Sequence, residues 1–361
     1  MMRLAFIDIA ASYDAKTPYQ RALGGTQAAV CYLAAELAKA GASAALINQN
    51  RALGAELGVE SLPPEALDDE AVLRGFSHLV LNGRWTEKLA QSLKKRTAAP
   101  LIGWMHEACF AAPYVLPLKE FSAFVFVSAW QKNLNAPLVP PPVRAAVMSN
   151  GVAPSFHDLP LMPSKEGPPV AVYAGSSKRG LLLLPEIIPL MHKARPDLRF
   201  EIYSDGVIGT DEAGNHAFRE KLAALPGVAH RGAVDQKELA SRFARAHYFL
   251  SPNTYPETFC IALAEALRAG LFCIGTQRAA LPETAGGFAA LLPVDGADDP
   301  SWRPETLRAE VFAAHALSSM SQWESRAAHE RQTQIENQIA FARRYDWQVQ
   351  AHNWLEFLRA A

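Results

Sequence analysis

The chain has 361 residues, half of them hydrophobic and a fifth charged, and its 35 basic and 36 acidic side chains leave a formal charge of -1. That length exceeds what one hydrophobic core supports, so two domains are expected, and the apolar content excludes a disordered chain. The even charge balance gives no global electrostatic reason for nucleic acid or an anionic membrane as partner.

Cys31, Cys109, Cys260 and Cys273 are far apart, form no CxxC pair and sit in mostly apolar context, where a free thiol behaves as a small hydrophobe. A reducing, cytoplasmic setting is the expectation. The opening MMRLAFIDIA is interrupted by Asp8 and is too short for a signal peptide, and no run of roughly 18 apolar residues follows. The basic run Lys94, Lys95, Arg96 allows at most peripheral contact with an inner membrane face, and such a run also reads as a solvated helix end.

Along the chain, short apolar runs alternate with helical patterns: LAFIDI, the helix TQAAVCYLAAELAKAG, then SAALIN, HLVL, LIGWM, AFVFV and AVM. Strands separated by helices imply parallel βαβ units. The proline-rich GVAPSFHDLPLMPSKEGPP, residues 151 to 169, breaks this series and reads as a linker. A second series follows: VAVYAG, a helix from about Leu181 to Lys193, LRFEIYS, GVAHRG, HYFLSP, the stretch PETFCIALAEALRAG, FCIGT and AALLPV.

The expected organisation is an α/β chain of two doubly wound, Rossmann-like domains facing across a cleft. The expected bounds are 1–152, a linker over 153–168, a second domain over 169–340, and a C-terminal helix over 341–361 packing back on the first domain. The helical pattern from Ser321 to Leu358 carries Trp323, Trp347 and Trp354 at spacings typical of core or seam. Ligands of open α/β sheets bind beyond the carboxyl ends of the strands, so the loops after each strand are where chemistry is sought.

In PETFCIALAEALRAG, Thr258 is the expected N-cap and Gly270 sits where a C-cap belongs, giving a helix from about Phe259 to Ala269. Only Glu265 and Arg268 are charged in it, so the helix is expected to be buried on most sides. A buried carboxylate costs several kcal/mol unless paired or hydrogen-bonded, so either Arg268 neutralises Glu265 or the acid faces a cleft and meets hydroxyl donors. Glu257 precedes the helix, where exposed turn carboxylates are common. Free amides of Phe259, Cys260 and Ile261 at the helix start would suit a diphosphate. Phosphates at the amides with hydroxylated rings near Glu257 and Glu265 have the shape of a nucleoside diphosphate sugar.

These residues resemble the E-x7-E segment of the family-four retaining glycosyltransferases, whose fold is the two-domain GT-B architecture. GGTQAAVCYLAAELAKAG, LIGWMHEA, VFVSAWQKN, SNGV and AGSSKRGLLLLPEIIPLMHKARPDLRFEIYSDG extend the resemblance over nearly the whole chain. It implies that Glu257 contacts the donor sugar and Glu265 the ribose. It further implies that Gly24 and Gly25 form a glycine-rich loop, that His106 hydrogen-bonds the transferred sugar, and that the HRGAVDQ loop holds the base through backbone near Val234. Cys260 stands where the family often has glycine, a departure that a helical conformation would tolerate, and Ala153 stands where an aspartate is common.

Ser176, Lys178 and Arg179 follow the first strand of the second series, and a guanidinium grips phosphate oxygens in bidentate fashion. Together with what the resemblance implies, the expected donor set is Gly24, Gly25, Ser176, Lys178, Arg179, Val234, Glu257, Thr258, Phe259, Cys260 and Glu265, with His106, Glu257 and Arg179 expected to be catalytic. Glu107 is an alternative acid toward the acceptor.

No D-x-D sequence and no zinc spacing occurs, so neither metal nor cofactor is expected. The function expected is transfer of a hexose-type sugar from a UDP-sugar, or a GDP-sugar, to a glycan, lipid-linked or small-molecule acceptor. A nucleotide-sugar epimerase of the same architecture and a non-catalytic nucleotide-sugar-binding protein are the alternatives.

Overall fold

The computed structural model of the protein describes residues 2–83, 86–108, 118–157, 159, 167–301 and 304–360. Cys109 and residues 158 and 160–166 of the expected linker lie outside the described residues. The chain divides into two compact units, Met1–Gly151 with Tyr345–Ala361, and Val152–Arg344.

The first unit is built on a sheet of eight strands: β1 (Arg3–Asp8), β2 (Ser43–Asn48), β3 (Gly54–Glu56), β4 (Val59–Leu62), β5 (His78–Asn82), β6 (Leu101–Met105), β7 (Ala123–Phe126) and β8 (Arg144–Val147). Their order is β3-β4-β2-β1-β5-β6-β7-β8, and every pair is parallel except β3 with β4. The chain builds outward from β1 to one side and returns to the other through β5, so the topological switch point lies between β1 and β5. The β3–β4 hairpin has no counterpart in the sequence reading. Its two-residue turn, Leu57 and Gly58, takes positive φ at both positions, as a type I′ turn demands, and leucine does not advertise that geometry.

The helix Trp347–Arg359 belongs to this first unit. Trp354 meets Phe6 and Trp104 at ring-centroid distances of 6.5 and 5.1 Å, and Trp347 meets Tyr32 at 6.3 Å. A Cβ on Gly151 would stand 2.4 Å from the Trp347 ring, so glycine is required where the chain leaves this unit.

The helical pattern of the sequence from Ser321 onward is three helices, Ala309–Ser325, Ala328–Ala342 and Trp347–Arg359, rather than one. The first two are part of the second unit, which carries the division to Arg344 instead of residue 340.

The start of the expected linker is also part of the second unit. Val152, Ala153 and Phe156 are buried, Pro154–Phe156 forms a turn of 3-10 helix, and Phe156 packs edge-on against Phe243 at 5.7 Å. Apolar burial outweighs the proline content there.

The second unit holds six strands: β9 (Val170–Ala174), β10 (Arg199–Tyr203), β11 (Val228–His230), β12 (Tyr248–Ser251), β13 (Phe272–Gln277) and β14 (Ala289–Pro293). The order β11-β10-β9-β12-β13-β14 is parallel throughout, and the switch point falls between β9 and β12. The central strands are buried on both faces, which is why VAVYA and YFLS read as unbroken apolar runs.

Gly180 fixes the two switch-point loops against each other. Its φ is +92°, and a Cβ there would stand 2.1 Å from the Pro252 carbonyl oxygen. Gly180→Ala combines a left-handed backbone penalty with a backbone collision and is expected to cost on the order of 3 kcal/mol. A thermal melt of the variant within a degree of the parent would contradict this packing.

Candidate nucleotide-sugar site

The loop after β9 and the loop after β12 meet at the switch point of the second unit. The first carries Ser176, Lys178 and Arg179 in a short 3-10 turn, Ser177–Arg179. The Tyr173 hydroxyl lies 3.0 Å from the Ser176 carbonyl and 3.2 Å from the Arg179 carbonyl, tying this loop to its own strand.

Arg179 Nε donates to Glu257 Oε1, a second guanidinium nitrogen lies 3.5 Å from Oε2, and a third donates to Ser176 Oγ at 2.9 Å. Glu257 is therefore not the exposed turn acid its position suggested: its side chain is 5% exposed, against 42% for Arg179. Its carboxylate holds the guanidinium in the charged form, raising an already high pKa. Its carbonyl accepts from Ala280 N at 3.0 Å, so the loop after β13 braces it from the other side. Tyr255 lies beneath both cations, with Arg179 Cζ 5.3 Å and Lys178 Nζ 6.0 Å from its ring centroid. The sequence reading passed over Tyr255.

The helix that follows begins later than the residue types suggest. It runs Ile261–Arg268, with Cys260 as N-cap and Ala269 as C-cap, and Gly270 just beyond at φ +71°. Thr258 is not the cap: it is buried ahead of the helix, and Phe259 is pinned by the Thr284 hydroxyl, which donates to its carbonyl. The amides that open the helix are consequently those from Ile261 onward, not Phe259 and Cys260.

The reason is the backbone at Cys260, which is left-handed with φ +67° and ψ +79°, not helical. A Cβ there is strained, so the helical conformation expected to tolerate the substitution for glycine is not the one adopted. Burial, with Glu257 nearby, pushes the Cys260 thiol well above its usual range and keeps it uncharged.

Glu265 lies one turn inside this helix, roughly 6 Å along the axis from Ile261, and is buried. No ion pair joins it to Arg268 among the described residues; Arg268 donates instead to the His157 carbonyl at 3.2 Å. Glu265 Oε1 has no hydrogen-bond partner among the described residues. Burial pushes its pKa up to about 8, against a smaller lowering effect of the Ala153 backbone. The expected alternative of a Glu265–Arg268 ion pair is therefore not the one formed. Val234 sits half-buried in the loop after β11, ahead of the helix Gln236–Phe243 that Asp235 caps.

In the first unit, Gly24 caps and Gly25 begins the helix Gly25–Lys39, and both are exposed. Gly24 has an ordinary negative φ, and a Cβ there would meet only the movable end of Gln27, whose Oε1 would lie 2.7 Å away. Gln27 Nε2 in turn donates to Asp8 Oδ2 at 3.0 Å.

His106 stands just beyond β6. Its Nε2 lies 3.2 Å from Asn150 Oδ1, and its ring packs 4.8 Å from Trp104. Burial lowers its pKa to about 4, the Asn150 hydrogen bond opposing, so the ring is neutral near pH 7.

Gln131, fully buried, holds the backbone on which His106 sits: its amide donates to the Met105 and Glu107 carbonyls at 3.2 and 2.5 Å and accepts from Val127 N at 2.7 Å. Asn135 adds a bond to the Ala108 carbonyl at 2.8 Å. Neither was singled out in the sequence, although two amides in one short helix after a strand were the available signal. Glu107 is exposed.

Residues 168–301 match the family model described as Glycosyl transferases group 1. The chain is 30% identical over 122 residues to a subunit of the phosphatidylinositol N-acetylglucosaminyltransferase of Arabidopsis thaliana, a match covering 34% of this chain and 26% of that protein. It is 30% identical over 176 residues to the phosphatidyl-myo-inositol mannosyltransferase of Mycobacterium tuberculosis, covering 48% and 42%. The chain thus spans less than half the length of these relatives.

Among solved structures, a glycosyltransferase from Rickettsia africae superposes with a TM-score of 0.73 at 14% identity over 99% of this chain and 98% of that one. The sucrose-phosphate synthase of Thermosynechococcus elongatus superposes at 0.71 and 13% identity, over 100% and 99%. The Anabaena protein HepE, solved with UDP and glucose, does so at 0.68 and 14% over the whole of both chains. The fold is GT-B: two Rossmann-like domains, each a doubly wound parallel sheet apart from the β3–β4 edge.

Two outcomes test the site. Arg179→Ala strands the Glu257 carboxylate and is expected to cost on the order of 2 kcal/mol of unfolding free energy, part of which Glu257→Gln restores in the double variant. Additive losses in denaturant melts would rule out the pairing.

For Glu265, the raised pKa means the folded state holds the proton more tightly than the unfolded chain. Its contribution to stability is full below about pH 4.5 and is lost as pH rises toward 8, at about 1.4 kcal/mol per pH unit. Glu265→Gln is expected to flatten that stretch and to exceed the parent in stability at pH 8. Parallel stability curves across the window would refute a neutral buried acid.

Proposed function

We propose that the protein is a retaining glycosyltransferase that moves a hexose-type sugar from a nucleoside diphosphate sugar, UDP ahead of GDP, to a hydroxyl acceptor without a divalent ion. The observation that carries this reading is the Arg179–Glu257 pair at the second unit's switch point, with an unpartnered Glu265 oxygen on the helix that starts beside it. A diphosphate there meets the guanidinium, the Lys178 ammonium and the amides from Ile261 onward. The ribose hydroxyls donate to Glu265, and their hydrogen bonds favour its ionised form.

Catalysis on this reading is electrostatic. Breaking the anomeric bond places negative charge on the departing diphosphate, and Arg179, Lys178 and the helix amides are preorganised to receive it. Glu257, already oriented by Arg179, contacts the sugar hydroxyls. His106, neutral, hydrogen-bonds the transferred sugar. Retention rests on the resemblance of the E-x7-E segment, with attack from the face the leaving group departs.

The match over residues 168–301 favours a transferase over an epimerase or a non-catalytic binder. The names of the two relatives make an inositol lipid the first acceptor to try. With such an acceptor the protein works from the cytoplasm in peripheral contact with a membrane. No described helix is long and apolar enough to cross one.

The decisive assay screens UDP-, GDP- and ADP-sugars by thermal shift, where the true donor raises the melting temperature by mass action. Turnover with that donor is expected to survive a chelator and to fall about 10²–10³-fold in Arg179→Ala. Strict dependence on added metal, or full activity in Arg179→Ala, would overturn the reading.

A further inference from the structure

A cavity of about 640 Å³ opens at the other end of the second unit's sheet, beside the first residues of β13 and β14. Its volume is that of a small-molecule site. The helices Ala309–Ser325 and Ala328–Ala342 both contribute to its wall, and two ring contacts pin them to the strand ends: Trp323 stacks on Phe272 at 4.7 Å, and Phe341 meets Phe288 at 5.3 Å. β13 runs from Phe272 to Gln277, roughly 17 Å at about 3.3 Å per residue, before the chain reaches Ala280, whose amide holds the Glu257 carbonyl. The cavity is therefore separate from the donor loops.

Two of its charged groups are already engaged. Arg326 donates to Gln334 Oε1 and its guanidinium carbon lies 5.6 Å from the centre of the Trp323 ring, while Glu330 accepts from Ala327 N at 3.1 Å. His329 is exposed to solvent. The other polar groups of the wall are neutral. Ser319, 8% exposed, and Asn337 make no side-chain hydrogen bond among the described residues, and Gln322 spends only its Nε2, on Ser318 Oγ at 3.2 Å. Phe288, Ala289 and Ala290, all half-buried, supply an apolar side.

A hydroxyl and an amide each donate and accept, so the group that satisfies this wall must do both. A phosphate offers acceptors only and would meet the Glu330 carboxylate. An added peptide strand would need the free edge of β14, but the Ala290 carbonyl already lies 3.2 Å from His315 Nε2. A sugar ring presents C–H faces to the apolar side and hydroxyls to the wall.

We propose that this cavity binds a neutral saccharide, which Ser319, Gln322 and Asn337 hold against Phe288 and Ala290. The site rests on the second unit alone. Its use rests on the transferase reading: a glycan moored here stays at the enzyme between transfers, which raises the effective concentration of its reactive end.

The test uses the full chain. Saturation-transfer NMR titrations with maltotriose, cellotriose and mannotriose, and with sialyllactose and a capped tetra-alanine peptide, are run on the parent, Gln322→Leu and Asn337→Leu, with and without excess UDP. The expected result is that the parent binds a neutral trisaccharide, that each variant weakens it about fivefold or more, and that UDP leaves the affinity unchanged within about twofold. Both substituted positions are exposed, and melting temperatures within about two degrees of the parent certify that the variants fold.

No neutral trisaccharide bound by the parent, binding that survives either substitution, displacement by UDP, or preference for the sialylated sugar or the peptide would each overturn the proposal. If the trisaccharide binds through Gln322 and Asn337 but no nucleotide binds, the saccharide site stands and the transferase reading falls.

Discussion

A carboxylate kept under cover at the carboxyl end of a parallel sheet must be paired or hydrogen-bonded, and Glu257 is paired with Arg179. That pairing joins the loop after β9 to the loop after β12 across 78 positions of sequence. It sets the charge state of the site, orients the acid and the base at once, and leaves part of the guanidinium's donor fork open to solvent. The surrounding structure serves it: Tyr173 anchors the first loop, Gly180 lets the two loops touch, and Ala280 braces the second. Removing any of these loosens the same contact.

The two units use one architectural rule for different chemistries. Each reverses its strand order once, and each collects polar side chains at that reversal. In the second unit the collection is cationic and helix-capped, suited to an anion. In the first it is an acid, two amides and a neutral imidazole. The contrast lies in side chains alone, since the sheets are alike.

What the sequence made legible follows from what periodicity encodes. Strands buried on both faces appear as apolar runs, so both sheets and the loops after β6, β9 and β12 could be placed. Where short-range signals compete, the reading slipped. Thr258 has the chemistry of a cap, yet the left-handed Cys260 delays the helix start to Ile261, and no residue type announces a cysteine in that conformation. The burial of Glu257 depends on an arginine far away in the chain. The β3–β4 hairpin is short, exposed at Gly54 and Ala55, and lacks the alternation that marks a strand.

The placement of the last helix bears on how the molecule is made. Trp354 completes an aromatic cluster whose other members, Phe6 and Trp104, leave the ribosome first, while the whole of Val152–Arg344 is synthesised in between. The inserted unit therefore has every residue it needs to fold during translation. The first unit must wait, with apolar rings uncovered, until the helix Trp347–Arg359 has been made.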